Sequence, residues 1–264
     1  MLIICNGAFK SGSSWLHAIV VELTIIKKLN LKKVPVGYTN DVNSPTTIIE
    51  SKLHEFINAE DFLNNNYLTK AHFFKQSTLD RGYLDNVKFI FIERDIRDAI
   101  VSHYFHVNNK YRFNISFFLY YYVLGRYKAY EIGLFNDRCK QYMGKDNFVH
   151  YADLIFDFEG TIRKIAKVIN IIALSDEEVE VVREYTTLDK LREELKRGNI
   201  CYYPSKRNDN WKLFREGGVG AWKDYFKSNQ IKDIKEIESG NFSSFSRLIY
   251  FITFTLRRIV FRIE

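Results

Sequence analysis

The opening of this chain constrains its fold more than any other feature. A short apolar run from Met1 to Cys5 leads into a small polar turn, Asn6 to Ser14, that carries Gly7 and Gly12. From residue 15 to 29 the pattern becomes helical, with Leu16, Ile19, Val20, Leu23 and Ile26 falling on one face. Strand, glycine loop and helix in immediate succession is how an α/β nucleotide-binding fold begins. Consecutive backbone N–H groups and the helix N-terminus then form a cradle for an anion. The segment Gly7-Ala8-Phe9-Lys10-Ser11-Gly12-Ser13-Ser14 matches the pattern G-x-x-x-x-G-K-[ST] at both glycines and at the last hydroxyl, but Ser13 stands at the lysine position. Lys10 lies inside the loop instead. An ATPase or kinase needs the later lysine to reach the β- and γ-phosphates and the hydroxyl to hold magnesium. The cradle is therefore retained while the Walker chemistry loses its most informative residue, and a tight turn without a ligand is the plain alternative.

The remaining pattern continues the α/β theme. Residues 67–69, 87–92 and 147–151 read as strands, the second a nearly unbroken apolar run of the kind found in parallel sheets. Asp95 can cap a helix running to about residue 108, with Asp98 completing a capping box. Segment 116–142 is a long aromatic helix, and helices follow at 158–169, 175–185 and 188–196. The stretch 199–220, with Gly217, Gly218 and Gly220, is the least regular and reads as a loop. The chain has 264 residues, 46% of them hydrophobic and only 3 of them Pro, which excludes wholesale disorder and Pro-rich linkers. The expectation is a single α/β domain over 1–244, with a central, mostly parallel sheet flanked by helices and a P-loop-like nucleotide site.

Charge and cysteine usage narrow the partners. Lys plus Arg exceed Asp plus Glu by 39 to 32, a net of +7, which suits a small polyanionic ligand or an anionic surface. No Lys/Arg stripe with interleaved aromatics marks a nucleic-acid interface. Cys5, Cys139 and Cys201 are far apart, with no Cys/His cluster, so neither a disulfide framework nor a zinc site is expected, and no metal. A reducing, cytoplasmic setting follows, since no signal-peptide pattern and no membrane-spanning run is present. The terminal segment 245–264 is separate. Its apolar stretch from Leu248 to Leu256 is flanked by Arg247, Arg257, Arg258 and Arg262. It is too short to span a bilayer, and peripheral contact with a membrane surface and packing on the core both stand as readings.

Lys10-Ser11-Gly12-Ser13-Ser14-Trp15-Leu16 resembles the K-S-G-T-T-W-L loop of sulfotransferases that use 3′-phosphoadenosine-5′-phosphosulfate (PAPS). Three further segments resemble that family in the same order. Tyr67-Leu68-Thr69-Lys70-Ala71-His72 is similar to its strand ending K-[TS]-H. Arg94, Asp95, Arg97, Asp98, Ser102 and Tyr104 follow R-[DN]-P-[RK]-D-x-x-x-S-x-Y, with Ile96 where Pro is usual. Arg215-Glu216-Gly217-Gly218-Val219-Gly220-Ala221-Trp222-Lys223 resembles R-K-G-x-x-G-x-W-K, Glu216 replacing Lys. Weaker likenesses lie at Tyr151-Ala152-Asp153 and at Thr186-Thr187-Leu188, whose Leu188 takes an aromatic position.

The resemblance implies a metal-independent sulfuryl transfer from PAPS to an acceptor hydroxyl or amine. It assigns Lys10, Ser11, Gly12, Ser13, Ser14 and Trp15 to the 5′-phosphosulfate and the adenine side. Arg94, Ser102, Arg215, Glu216 and Gly217 go to the 3′-phosphate, and Tyr151, Thr187 and Leu188 to the base. His72 becomes the general base, with Lys10 and Lys70 stabilising the transferring group; an imidazole suits that task at neutral pH. Phe73, Phe74, Tyr104, Phe105 and His106 are candidate acceptor-side walls, fitting a small-molecule, glycan or lipid acceptor alike, while His17, His54, His103 and His150 are expected to be structural or acceptor-side. The family's dimer motif is not matched, so no oligomer is implied. A nucleotide kinase and a non-catalytic membrane-docking protein remain as alternatives.

Overall fold

A computed structural model describes residues 1–39, 47–79, 86–111, 114–143, 146–197, 217–240 and 252. β1 (Leu2–Gly7) turns into α1 (Ser13–Ile26), and β2 (Leu31–Lys32), α2 (Leu53–Ile57), α3 (Glu60–Leu63) and β3 (Asn66–Ala71) follow. Next come α4 (Gln76–Leu79), β4 (Val87–Glu93), α5 (Ile96–Tyr111), α6 (Phe117–Tyr120) and, beyond the π-helical turn Tyr121–Gly125, α7 (Arg126–Met143). β5 (Phe148–His150), α8 (Asp153–Phe156), α9 (Phe158–Val168), α10 (Asp176–Tyr185), α11 (Leu188–Arg197) and α12 (Ser228–Glu238) complete the described chain.

The expected architecture is borne out: a single α/β domain whose five strands, in the order β2-β3-β1-β4-β5, are all parallel. From β1 the chain builds β2 and β3 on one side and then crosses to β4 and β5 on the other. The carboxyl ends of β1 and β4 thus flank a topological switch point, where ligands of open α/β sheets bind. The described residues cluster into two compact units, Met1–Arg94 with Arg138–Gly217 and Asp95–Asp137 with Gly218–Glu264.

The first unit holds the sheet. Ile3, Cys5, Leu68, Ile90, Ile92 and Val149 share one face of it and are buried with Leu16, Ile19, Val20 and Leu23 of α1 and with Ile162 and Ile165 of α9. Every second strand residue faces the other way, and there Phe89, Phe91 and Phe148 stack in sequence at centroid distances of 5.7 and 5.1 Å. α1 ends three residues before the periodicity does, because Lys28 adopts φ 53° and closes the helix in the left-handed region.

The second unit is a helical, aromatic assembly. Phe117 packs on Tyr104, Tyr120, Tyr121 and Phe226. The guanidinium of Arg126 meets Asp233 at 2.6 Å, and Asp233 also accepts the Tyr121 hydroxyl at 2.7 Å. The long aromatic helix expected over 116–142 is present but contains the π-turn, at which Gly125 makes room for the Tyr120 ring: a Cβ there would lie 2.9 Å from Cε1.

The capping box does not form: Asp95 does cap α5, accepting from Arg97 N at 2.8 Å, but Asp98 is bound by other donors. Helices α2, α3, α4 and α8 and strand β2 escaped the sequence reading, each being too short to establish a period. α12 escaped it as well, though Ile231, Ile234 and Ile237 recur along its length. The irregular stretch 199–220 falls outside the described residues as far as 216, and the terminal segment 245–264 does so except for Ile252. Among the described residues no helix is long and apolar enough to cross a membrane.

Candidate functional site

In the first unit the site is assembled at the carboxyl edge of the sheet. β1 ends at Gly7, paired with Ile92 of β4, while β3 ends at Ala71, β4 at Glu93 and β5 at His150. The residues immediately beyond these ends are the loop of Ala8 to Gly12, then His72, Arg94 and Tyr151. Parallel pairing therefore brings to one edge what the chain separates by up to 144 positions, Gly7 to Tyr151.

The loop after β1 holds its shape through its own main chain. Ser11 donates to the Ala8 carbonyl through both its backbone N–H (3.1 Å) and its hydroxyl (2.7 Å). Two residues occupy the left-handed region, Lys10 at φ 67° and Gly12 at φ 104°. A lysine there is strained by about 1 kcal/mol, and such strain gathers at functional sites. Gly12 is required twice over, since a Cβ would come within 2.5 Å of the Tyr151 ring. Gly7 is required by close approach, a Cβ meeting Ser11 Oγ at 2.5 Å. α1 then starts with no side-chain cap and no acid in its first turn. Its first N–H groups have no carbonyl ahead of them inside the helix, and the macrodipole adds partial positive charge. Ser13 and Ser14 sit in this turn.

Lys70 and His72 come from the adjoining strand. The Lys70 side chain is buried and donates to Ser14 Oγ at 3.2 Å. Burial lowers its pKa to about 8. The His72 Nδ1 lies 2.6 Å from the carbonyl oxygen of Gly7. A carbonyl only accepts, so Nδ1 carries the proton and Nε2 carries the lone pair of the neutral ring. The Phe9 ring lies 6.2 Å from the imidazole and 5.9 Å from the Lys10 ammonium, so Lys10 and His72 share a neighbourhood. His17, on α1, is buried and its pKa is pushed down to about 3, first by burial and then by the charge of Lys70, which leaves it neutral.

Tyr151 is the hub of the other half. Its ring lies 4.2 Å beneath the Arg94 guanidinium, meets Trp15 edge-on at 5.4 Å, and its hydroxyl donates to the Gly217 carbonyl at 3.0 Å. Trp15 is largely buried, and its indole N–H donates to the carbonyl of Thr186 at 3.0 Å. Thr187, by contrast, is exposed, and its hydroxyl accepts from Lys190 N at 3.3 Å at the start of α11. Of that pair, Thr186 is the one bonded to Trp15. Leu188 packs against Gly217, where a Cβ would approach its Cδ1 to 2.2 Å. The adjacent Glu93 is paired with Lys140 at 2.7 Å and His150 at 2.8 Å.

The second unit carries Ser102, half-buried on α5. It also contains a device the sequence reading missed. The Asp98 carboxylate is buried and accepts the backbone N–H groups of Gly220 at 2.7 Å and Trp222 at 3.0 Å. Arg97, held by Asp95, lies 3.8 Å over the Trp222 ring. The paired appearance of Arg97-Asp98 and Gly220-Ala221-Trp222 in the sequence was the available signal. Arg215 and Glu216 lie outside the described residues. Cys5 and Cys139 are free and buried, and Cys201 lies outside the described residues. Among the described residues no group of three or more His, Cys, Asp or Glu side chains could hold a metal ion.

This geometry agrees with what the chain resembles. Residues 2–245 match the family model described as a sulfotransferase domain. Comparison with curated proteins gives no match. Among solved structures, the mouse sulfotransferase SULT7A1 complexed with PAP is 20% identical over 94% of this chain and 87% of its own, with a TM-score of 0.61. Retinol dehydratase in complex with androsterone and inactive cofactor PAP is 19% identical over 92% and 81%, with a TM-score of 0.63. The same enzyme with retinol and PAP gives 0.60 over the same coverage. The kinase and docking alternatives give way to the family match, which begins in the first strand and continues past α12: the chain belongs to the sulfotransferase family.

Proposed function

We propose that this sulfotransferase moves the sulfuryl group of PAPS to an acceptor hydroxyl or amine, with His72 as the general base and no metal ion. The observation that carries the reading is the Nδ1–Gly7 contact of 2.6 Å, which holds the imidazole in the tautomer a base requires, on the same strand edge as the anion cradle. The residues fit the donor. The backbone of Gly12 to Ser14, the uncapped start of α1 and the hydroxyls of Ser13 and Ser14 suit a phosphosulfate. Tyr151, Trp15 and Leu188 offer apolar surface for a base, and Arg94 and the Gly217 backbone offer donors for the 3′-phosphate, with Ser102, Arg215 and Glu216 assigned there by the motif. PAP in the three solved neighbours supports the same donor.

When bound, PAPS supplies the sulfuryl group, whose S–O bond to the 5′-phosphate breaks as the acceptor oxygen bonds to sulfur. His72 takes the acceptor proton on Nε2 while Gly7 keeps the Nδ1 proton engaged, so the imidazolium that forms is stabilised without ring movement. Lys10 and Lys70 offset the negative charge that develops on the leaving phosphate side. The acceptor class stays broad, a small molecule, glycan or lipid, and the setting we assign is cytoplasmic, with 245–264 the candidate for peripheral membrane contact. Vesicle flotation with and without 245–264 tests that contact. Transfer from labelled PAPS tests the base: His72→Ala lowers turnover by about 10²- to 10⁴-fold with PAP affinity unchanged. Wild-type turnover in that variant removes His72 from the role.

A further inference from the structure

We propose that Asn6 is the positioning residue of His72, an inference that rests on the reading of His72 as the base. Asn6 is the only polar side chain in β1, where it follows four apolar residues, and it is fully buried. Its backbone occupies the last parallel register pair with β3, opposite Ala71. One residue later the ladder between β1 and β3 has ended, since Gly7 is in register with Ile92 on the other side. The Asn6 side chain carries the pairing further. Its Nδ2 donates to the Phe73 carbonyl at 2.9 Å, and its Oδ1 accepts the Phe73 N–H at 2.8 Å.

A primary amide presents one donor and one acceptor side by side, as a peptide group does, so this pair of bonds acts as an extra rung. His72 is thereby fixed on both sides by one residue: Ala71 sits opposite the Asn6 backbone, and Phe73 is gripped by the Asn6 side chain. The next residue, Gly7, holds the ring. The dipeptide Asn6-Gly7 thus sets both the main chain and the imidazole of His72, and it does so from the strand that feeds the anion cradle. An apolar side chain would satisfy the burial at this position, whereas only a side-chain amide supplies both bonds. A carboxylate in its place keeps the acceptor, loses the donor and sets a charge against the Phe73 carbonyl.

The test is a double-mutant cycle read at saturating PAPS and acceptor, with PAP affinity by calorimetry as the check on folding. Asn6→Ala lowers kcat by about 10- to 100-fold, in keeping with displacement of a catalytic group by around 1 Å, and leaves PAP affinity within about twofold. In the His72→Ala background the same substitution produces no further loss, because the two residues act as one unit. Asn6→Asp, close to isosteric, gives the same pattern and serves where the alanine variant does not fold. A kcat within twofold of wild type, or losses that multiply in the double variant, overturns the proposal. Wild-type turnover in His72→Ala alone overturns the base reading itself and the positioning role with it, an outcome distinct from multiplying losses.

Discussion

Two glycine-bearing segments of this protein are shaped by opposite means. The loop from Gly7 to Gly12 is held by its own neighbours: Ser11 binds Ala8 twice, Lys10 and Gly12 take left-handed conformations, and α1 follows at once. The turn from Gly220 to Trp222, in the other unit, is held by a carboxylate 122 positions earlier in the chain, Asp98. Local geometry makes the first segment rigid before any ligand arrives. The second depends on one buried acid, so its shape can be removed without touching the turn. A contiguous motif therefore describes the first fully, while the second needs a partner motif that looks, in isolation, like a helix start.

The largest effect expected from challenging this contrast is at Gly12. Gly12→Ala combines a φ of 104° with a 2.5 Å approach to Tyr151. It should weaken PAP binding by about 100-fold, equivalent to ~3 kcal/mol, measured by calorimetry. Asp98→Ala comes next. It strips two partly buried backbone donors of their acceptor, at about 1–3 kcal/mol in total, and should lower both the melting temperature and PAP affinity, the latter by about tenfold. A variant that loses stability yet binds PAP as wild type would sever the Gly220–Trp222 turn from the donor site and leave the Gly7–Gly12 loop as the sole glycine segment serving it.

Lys70 sharpens the picture of the first loop. Burial brings its pKa to about 8, so its charge is complete below that pH and is lost as pH rises through it. PAP affinity should be flat on the acid side and fall about tenfold per pH unit above 8, until the ligand's own charge holds the proton on. Lys70→Met should bind more weakly and show no such break. The smallest effect is expected for Arg97→Leu. It removes the cation from the face of Trp222, about 0.5–1 kcal/mol, while Asp98 keeps both N–H groups, so the melting temperature should drop by only about 1–4 °C.

Much of the fold was readable along the chain. Strand β4 announced itself as a nearly unbroken apolar run, and helices α9, α10 and α11 because each repeats a period long enough to register against its neighbours. Short elements such as α2, α3 and β2 did not, since four or five residues cannot establish a period and their apolar side chains serve the tertiary core. At the candidate site, the loop and His72 stand in contiguous patterns. The bonds made by the side chains of Asn6, Asp98 and Trp15 do not. Each runs to a main-chain group distant in sequence, and no residue pattern encodes the far end of such a bond.

The amino-acid sequence by itself determined the α/β class, the family and the glycine turn after the first strand, because residue type and local spacing suffice for these. Only the tertiary structure decided the tautomer of His72, the burial that lowers Lys70 and the hydrogen-bond partners of Asn6 and Asp98. Hydrogen-bond direction and desolvation depend on which distant atoms the fold sets within 3 Å, and those distances exist only once the parallel strands are in register.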